Sequence, residues 1–166
     1  MSEKEELKPI YYVDFTVEKE NWGIYKIEDG GLLKIKLVLI SIISEKPFTD
    51  VLKKVKESGE KGIDMALQST NVMAVQVPFN LRGKPSNVPC TSREMRESII
   101  EDDLDFETIA ESYNVYQLNF PDVAEHLYLK IKSSPVKVSR TNKFDQYGIP
   151  LYFTRSKTDA KFSIKA

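Results

Sequence analysis

Residues 15–27 and residues 106–118 share one outline. With Phe15 placed over Phe106 and no gap opened, Glu20 falls on Glu111, Trp22 on Tyr113, Ile24 on Val115, Tyr25 on Tyr116 and Ile27 on Leu118. Farther on, Leu33-Lys-Ile-Lys36 returns as Leu129-Lys-Ile-Lys132. Strand-like runs follow in both places, Val38 to Ile42 and Val136 to Val138. A closing alternation of Met73, Val75 and Val77 answers Ala160, Phe162 and Ile164. A repeat of this kind constrains a fold more than any single element, because each copy must build the same supersecondary unit.

The units read as β. Tyr11, Val13, Phe15 and Val17 alternate with Tyr12, Asp14 and Thr16, the two-residue period of a strand with one buried face. A short strand runs from Trp22 to Ile27. Asp29-Gly30-Gly31 then signals a hairpin, since glycine supplies the positive φ that tight strand connections need. Leu33, Ile35, Leu37 and Leu39 mark one face of a long strand whose other face begins with Lys34 and Lys36 and turns apolar at Val38, Ile40 and Ile42. A strand apolar on both faces needs cover on both. Leu37, Val38, Leu39, Ile40 and Ile42 are therefore the candidate interface, toward the other repeat or toward another molecule. The matching place in the second copy reads Ser133-Ser134-Pro135, and proline belongs at edges and bulges.

Two stretches have helical character. Phe48 to Ser58 places Val51, Leu52 and Val55 on one side, lies between Pro47 and Gly59, and reads as an insertion between strands. Ser92 to Ile100 is shorter, with Ser92 as the candidate N-cap. The expected organisation is a disordered N-terminus (1–8), a first β repeat (9–78), a linker (79–98) and a second β repeat (99–166). The fold class is all-β: two tandem copies of a small barrel-like unit of four to five strands, packed together or merged into one barrel, with one short inserted helix. The Tyr25-x-Ile27-x-Asp29-Gly30 turn followed by a lysine-flanked strand is similar to hairpins of SH3-like barrels. That pattern is shared by many unrelated folds and carries no function with it.

Composition narrows the function. The chain of 166 residues is 41% hydrophobic and 30% charged, with a formal net charge of -1, so no strong whole-molecule field draws it to nucleic acid or an acidic membrane. Its longest apolar run is broken by Lys34 and Lys36, far short of the roughly 20 residues a membrane helix needs. The first residues lack the apolar stretch of a signal peptide, and a single cysteine, Cys90, forms no internal disulfide. The expectation is a cytoplasmic protein that stays off membranes.

Catalysis finds little support. His126, the one histidine, is expected in a solvated loop, and Cys90 in the linker. Together they are too few for a zinc site, and neither Gly30-Gly31 nor Leu81-Arg-Gly-Lys-Pro85 has phosphate-loop spacing. At strand period Asp103, Asp105 and Glu107 share a face, but Thr108 stands where a calcium loop needs glycine. Glu20 and Glu111 match between copies, which raises an acid–base pair as an idea; turn capping or strand hydrogen bonding accounts for them more simply. The expectation is therefore no catalytic residue, no metal and no cofactor.

Charge is unevenly distributed. Residues 94–125 hold ten acids and one base, residues 129–166 nine bases and two acids. Lys137, Arg140, Lys143, Tyr147, Tyr152 and Arg155 thus form an alternative nucleic-acid surface of cations and aromatics. Against it, the acidic segment could pack beside the basic one and cancel its field. The leading expectation is a non-catalytic interaction module that binds a protein partner or self-associates through its duplicated β-units. A nucleic-acid-binding barrel is the alternative.

Overall fold

The computed structural model describes residues 7–58, 65–87, 89, 91–121 and 126–165. Residues 1–6 of the expected N-terminal tail, the helix-stopping Gly59, Cys90, and Asp122 and Glu125 of the acidic segment lie outside the described residues, as does the side chain of Val55. The protein is all-β in class. Among the described residues ten strands run in order: β1 (Tyr11–Tyr12), β2 (Asp14–Lys19), β3 (Gly23–Ile27), β4 (Leu32–Ser44), β5 (Met65–Gln76), β6 (Ile99–Glu101), β7 (Phe106–Ala110), β8 (Asn114–Asn119), β9 (His126–Phe144) and β10 (Pro150–Lys165). Among the described residues two α-helices, α1 (Phe48–Ser58) and α2 (Ser92–Glu97), and a single 3-10 turn at Phe79–Leu81 interrupt them. Among the described residues no helix is long and apolar enough to cross a membrane.

The strands form two five-stranded sheets. In one, β5 pairs β4, β4 pairs β3 and β1, and β3 pairs β7; in the other, β10 pairs β9, β9 pairs β8 and β6, and β8 pairs β2. All these pairings are antiparallel. Each sheet therefore takes one strand from the far half of the chain. Asp14 sits opposite Asn119 and Ile27 opposite Phe106.

The long strands β4 and β9 organise the interior because each serves two cores. Leu33 and Ile35 of β4 pack with Tyr25, Ile27, Leu104, Val138 and Tyr152. Leu37, Leu39 and Ile42 join Tyr116, Leu118, Leu127, Leu129 and Ile131 instead. Both strands are bulged, β9 between its two cores and β4 farther along, inside the core that holds Leu39 and Ile42. Ile40 is the unpaired residue between the Leu39–Ser69 and Ser41–Gln68 pairs, and Val136 the one between Pro135–Ser156 and Lys137–Arg155. A bulge adds one residue to one strand and bends it. Pro135, without an N–H to give a ladder, lies at such a bulge.

The sheet organisation departs from expectation. The strands do not close into a barrel: among the described residues both sheets are open, and β5 and β10 each bond a single neighbour. The long strands hand their two ends to different cores. The bulge also overturns the expected face of Val38, Ile40 and Ile42. Counting by two fails across an inserted residue, and Ile42 turns inward at 1% exposed while Ile40 is 51% exposed.

α1 is where the sequence places it. The Pro47 carbonyl accepts from the N–H groups of Asp50 and Val51, starting the first turn. Val51 and Leu52 then cap one core, and Phe48 meets Tyr11 and Phe120 ring to ring. α2 is capped by Thr91 rather than Ser92: the Thr91 hydroxyl accepts from the Glu94 N–H at 3.1 Å. The stretch expected as a linker is pinned down. Gly83 N–H donates to the Gly148 carbonyl at 2.9 Å, and Arg82 reaches the Tyr147 carbonyl.

Candidate interaction surface

β5 reads Met-Ala-Leu-Gln-Ser-Thr-Asn-Val-Met-Ala-Val-Gln, twelve residues without a charge, proline or glycine. It bonds β4 along its whole length and leaves its other edge open among the described residues. Natural sheets usually guard such an edge with lysine, proline or bulges. β10, in the matching place of the second sheet, is so guarded: Arg155, Lys157, Asp159 and Lys161 punctuate it. β5 is the unguarded one, and its composition is that of a segment ready to add strands.

Beside this edge lies the outward face of β4. Val38 stands opposite Thr70 and Lys36 opposite Val72, so Val38, Val72 and the bulged Ile40 share the outer side. Val72 is 45% exposed, and Trp22 nearby is 38% exposed with the Lys36 ammonium 5.8 Å from its ring. The five candidate interface residues thus divide. Leu37, Leu39 and Ile42 pack in the core against residues of β8 and β9, while Val38 and Ile40 stay on the outer face.

Glu20 and Glu111 do not form a pair with each other. The Tyr116 hydroxyl donates to Glu20 and the Tyr25 hydroxyl to Glu111, both at 2.7 Å. Lys36 stands 3.6 Å from Glu20 and Lys132 3.0 Å from Glu111. Phe15 meets the Tyr116 ring edge-on at 5.6 Å, as Phe106 meets Tyr25 at 5.9 Å. Burial and the Glu20 carboxylate push the Tyr116 hydroxyl up to about 12, and Tyr25 rises for the same two reasons with Glu111 as its partner. Burial alone would raise Glu111, yet the Tyr25 and Lys132 hydrogen bonds hold it below the ordinary carboxylate range. Neutral tyrosines donating to ionised carboxylates are cross-braces between halves of the chain.

The alternative basic and aromatic set is also divided. Tyr152 is buried and donates to Asp29 at 2.7 Å, and Arg140 lies near both Asp29 and Glu101. Lys137 stands 3.3 Å from Asp102. Lys143 is half-buried, and Tyr147 and Arg155 are exposed. The acidic segment therefore lies against the basic one and supplies its counter-charges. Asp103, Asp105 and Glu107 do not share a strand face, because Asp103 takes a φ of 50° and β7 begins only at Phe106. Asp and Asn are the side chains that best tolerate that left-handed region. His126 is no loop residue: it opens β9, with Nδ1 2.8 Å from the Gln117 amide.

One grouping was invisible along the chain. Lys137 sits directly opposite Arg155, and Ser139 opposite Phe153, across β9 and β10. Together with Arg96 and Ile99 they line a cavity of about 530 Å³. Only the pairing register reveals it. In comparisons with protein-family models, curated proteins and solved structures, nothing matches this chain.

Proposed function

We propose that this protein is a non-catalytic interaction module that self-associates by pairing β5 with β5 of a second copy. The carrying observation is the twelve-residue, uncharged β5 edge next to the exposed Val72 and Ile40. Antiparallel pairing of one strand with its own copy is isologous, so it closes at a dimer rather than growing into a filament. Backbone hydrogen bonds supply affinity along the edge, and the apolar side chains of the outer face supply the rest.

In this reading the chain is two copies of one five-strand unit that have traded their second strands, β2 and β7. The matched pairings β1–β4 with β6–β9, β3–β4 with β8–β9 and β4–β5 with β9–β10 support it. So do the crossed Tyr–Glu hydrogen bonds. The charged β10 keeps its edge single while β5 recruits a partner. Of the two acids raised as an acid–base pair, each is taken up by a tyrosine and a lysine.

Size-exclusion chromatography with light scattering tests the proposal. Wild type should elute at twice the 19.0 kDa chain mass. Val72→Lys should elute at the chain mass with unchanged circular dichroism. A wild type that stays monomeric at about 100 μM, where even a modest specific interface is populated, overturns the reading.

A further inference from the structure

Lys137 and Arg155 face each other directly across the β9–β10 ladder. Like charges in directly opposed positions destabilise a sheet. Here one of the two is compensated. Asp102 stands 3.3 Å from Lys137 and is further held by the Ser139 hydroxyl, which donates to it at 2.7 Å. Arg155 has no ion-pair or hydrogen-bond partner among the described residues. Arg96, on the opposite wall, donates among the described residues only from its Nε, to the Ser92 carbonyl of its own helix. The acids that could have answered these arginines are engaged elsewhere: Glu97 with Arg93 at 2.9 Å, Glu101 with Arg140 at 3.9 Å.

Between these charges the wall is apolar. Phe153, two residues before Arg155 on the same face of β10, and Ile99 of β6 are both half-buried. The cavity they line, about 530 Å³, is in the range of small-ligand sites. Three cations against one acid, beside an aromatic ring, match a ligand with a compact anionic head and a planar body. Guanidinium groups bind phosphate and carboxylate through paired N–H donors, and an aromatic ring stacks on a planar ligand.

We propose that the cavity between α2 and the outer face of β9–β10 binds a small aromatic anion of the size of a nucleoside monophosphate. Arg96 and Arg155 hold the anionic head, Phe153 carries the planar body, and Asp102 fixes Lys137 beside them. The site is independent of the β5 edge, which belongs to the other sheet.

Adenosine 5′-monophosphate is the probe, followed by amide chemical shifts of the full chain, with adenosine and inorganic phosphate as half-ligands. Saturable shifts centred on Ser139, Phe153 and Arg155 are expected, with each half-ligand at least roughly tenfold weaker. The Arg96→Gln/Arg155→Gln double variant changes two exposed side chains and should keep its fold while binding roughly tenfold or more weakly. Phe153→Leu should weaken the nucleotide while leaving inorganic phosphate unaffected. Absence of saturable binding up to about 5 mM overturns the proposal, since that is already weaker than any specific site of this size. Binding undiminished in the double variant overturns it too, as does inorganic phosphate binding as tightly as the nucleotide.

Discussion

The Tyr25 hydroxyl donates to the Glu111 carboxylate at 2.7 Å, joining the third strand to the segment just beyond the seventh. Tyr116 and Glu20 repeat the arrangement in the opposite direction. Hydrogen bonds to a charged acceptor contribute more than neutral ones, about 1.5–3 kcal/mol each. Both tyrosine side chains are fully buried, so no water replaces a lost donor at the ring. Tyr25→Phe and Tyr116→Phe should each lower stability by about 1.5–3 kcal/mol, read as a shifted midpoint with unchanged slope in urea unfolding.

Alkaline pH attacks the same braces. Burial and the Glu20 carboxylate raise Tyr116 from 10.0 to about 12, so the folded protein keeps its proton where the unfolded chain has released it. Stability from this group is complete below pH 10 and falls as pH rises from 10 to about 12. Tyrosinate absorbance of the folded protein should include a late step near pH 12, from Tyr116. A single step with all tyrosines at the ordinary value while the protein is folded would contradict the brace.

Leu37 and Ile40 lie three residues apart on one strand and should respond oppositely. Leu37 is 3% exposed in the core, so Leu37→Ala should cost about 2–5 kcal/mol of stability. Ile40 protrudes at the bulge, so Ile40→Ala should change the stability of the monomer by no more than about 0.5 kcal/mol. It should instead weaken dimerisation, measured by sedimentation across a dilution series. Equal destabilisation of the monomer by both would remove the bulge from the account.

Gly83 and Gly148 fasten the 79–86 segment to the β9–β10 turn. A Cβ on Gly83 would lie 2.4 Å from the Phe144 ring, and one on Gly148, at φ 77°, 2.5 Å from the Gly83 carbonyl oxygen. Gly83→Ala and Gly148→Ala should each cost about 1–3 kcal/mol, seen as a lower melting temperature. The backbone clash at Gly148 should be the more severe, because a carbonyl cannot rotate away as a side chain can.

Much of this architecture was legible in the sequence, and the failures share a cause. Strand period, the Asp29-Gly-Gly31 turn and the Pro47-to-Gly59 helix are local signals, and the strands, the turn with Gly30 at φ 97° and α1 correspond to them. Aligning Glu20 with Glu111 and Tyr25 with Tyr116 picked residues that play mirrored parts in the contacts. What stayed hidden was register. Ile40 and Val136 look like ordinary alternating residues until their strands are paired, and only then do Ile42 and Val138 turn inward. Arg155 and Lys137 meet for the same reason, as partners set by a bulge rather than by spacing in the chain. The pairing of β2 with β8 and of β7 with β3 had no local signal at all, since an edge strand carries the same alternation whichever sheet receives it.

Those long-range pairings govern how the chain must be made. During synthesis β3 and β4 emerge with their hairpin turn and pair at once, but β2 waits for β8, and Asp14 for Asn119. Until then the nascent first half carries an orphan strand and an unfilled place beside β3. Contacts so distant in sequence slow folding, because the intervening chain must be ordered before they form. Neither half is a finished object when it leaves the ribosome; completion comes only as the second half arrives to take the strand and give its own.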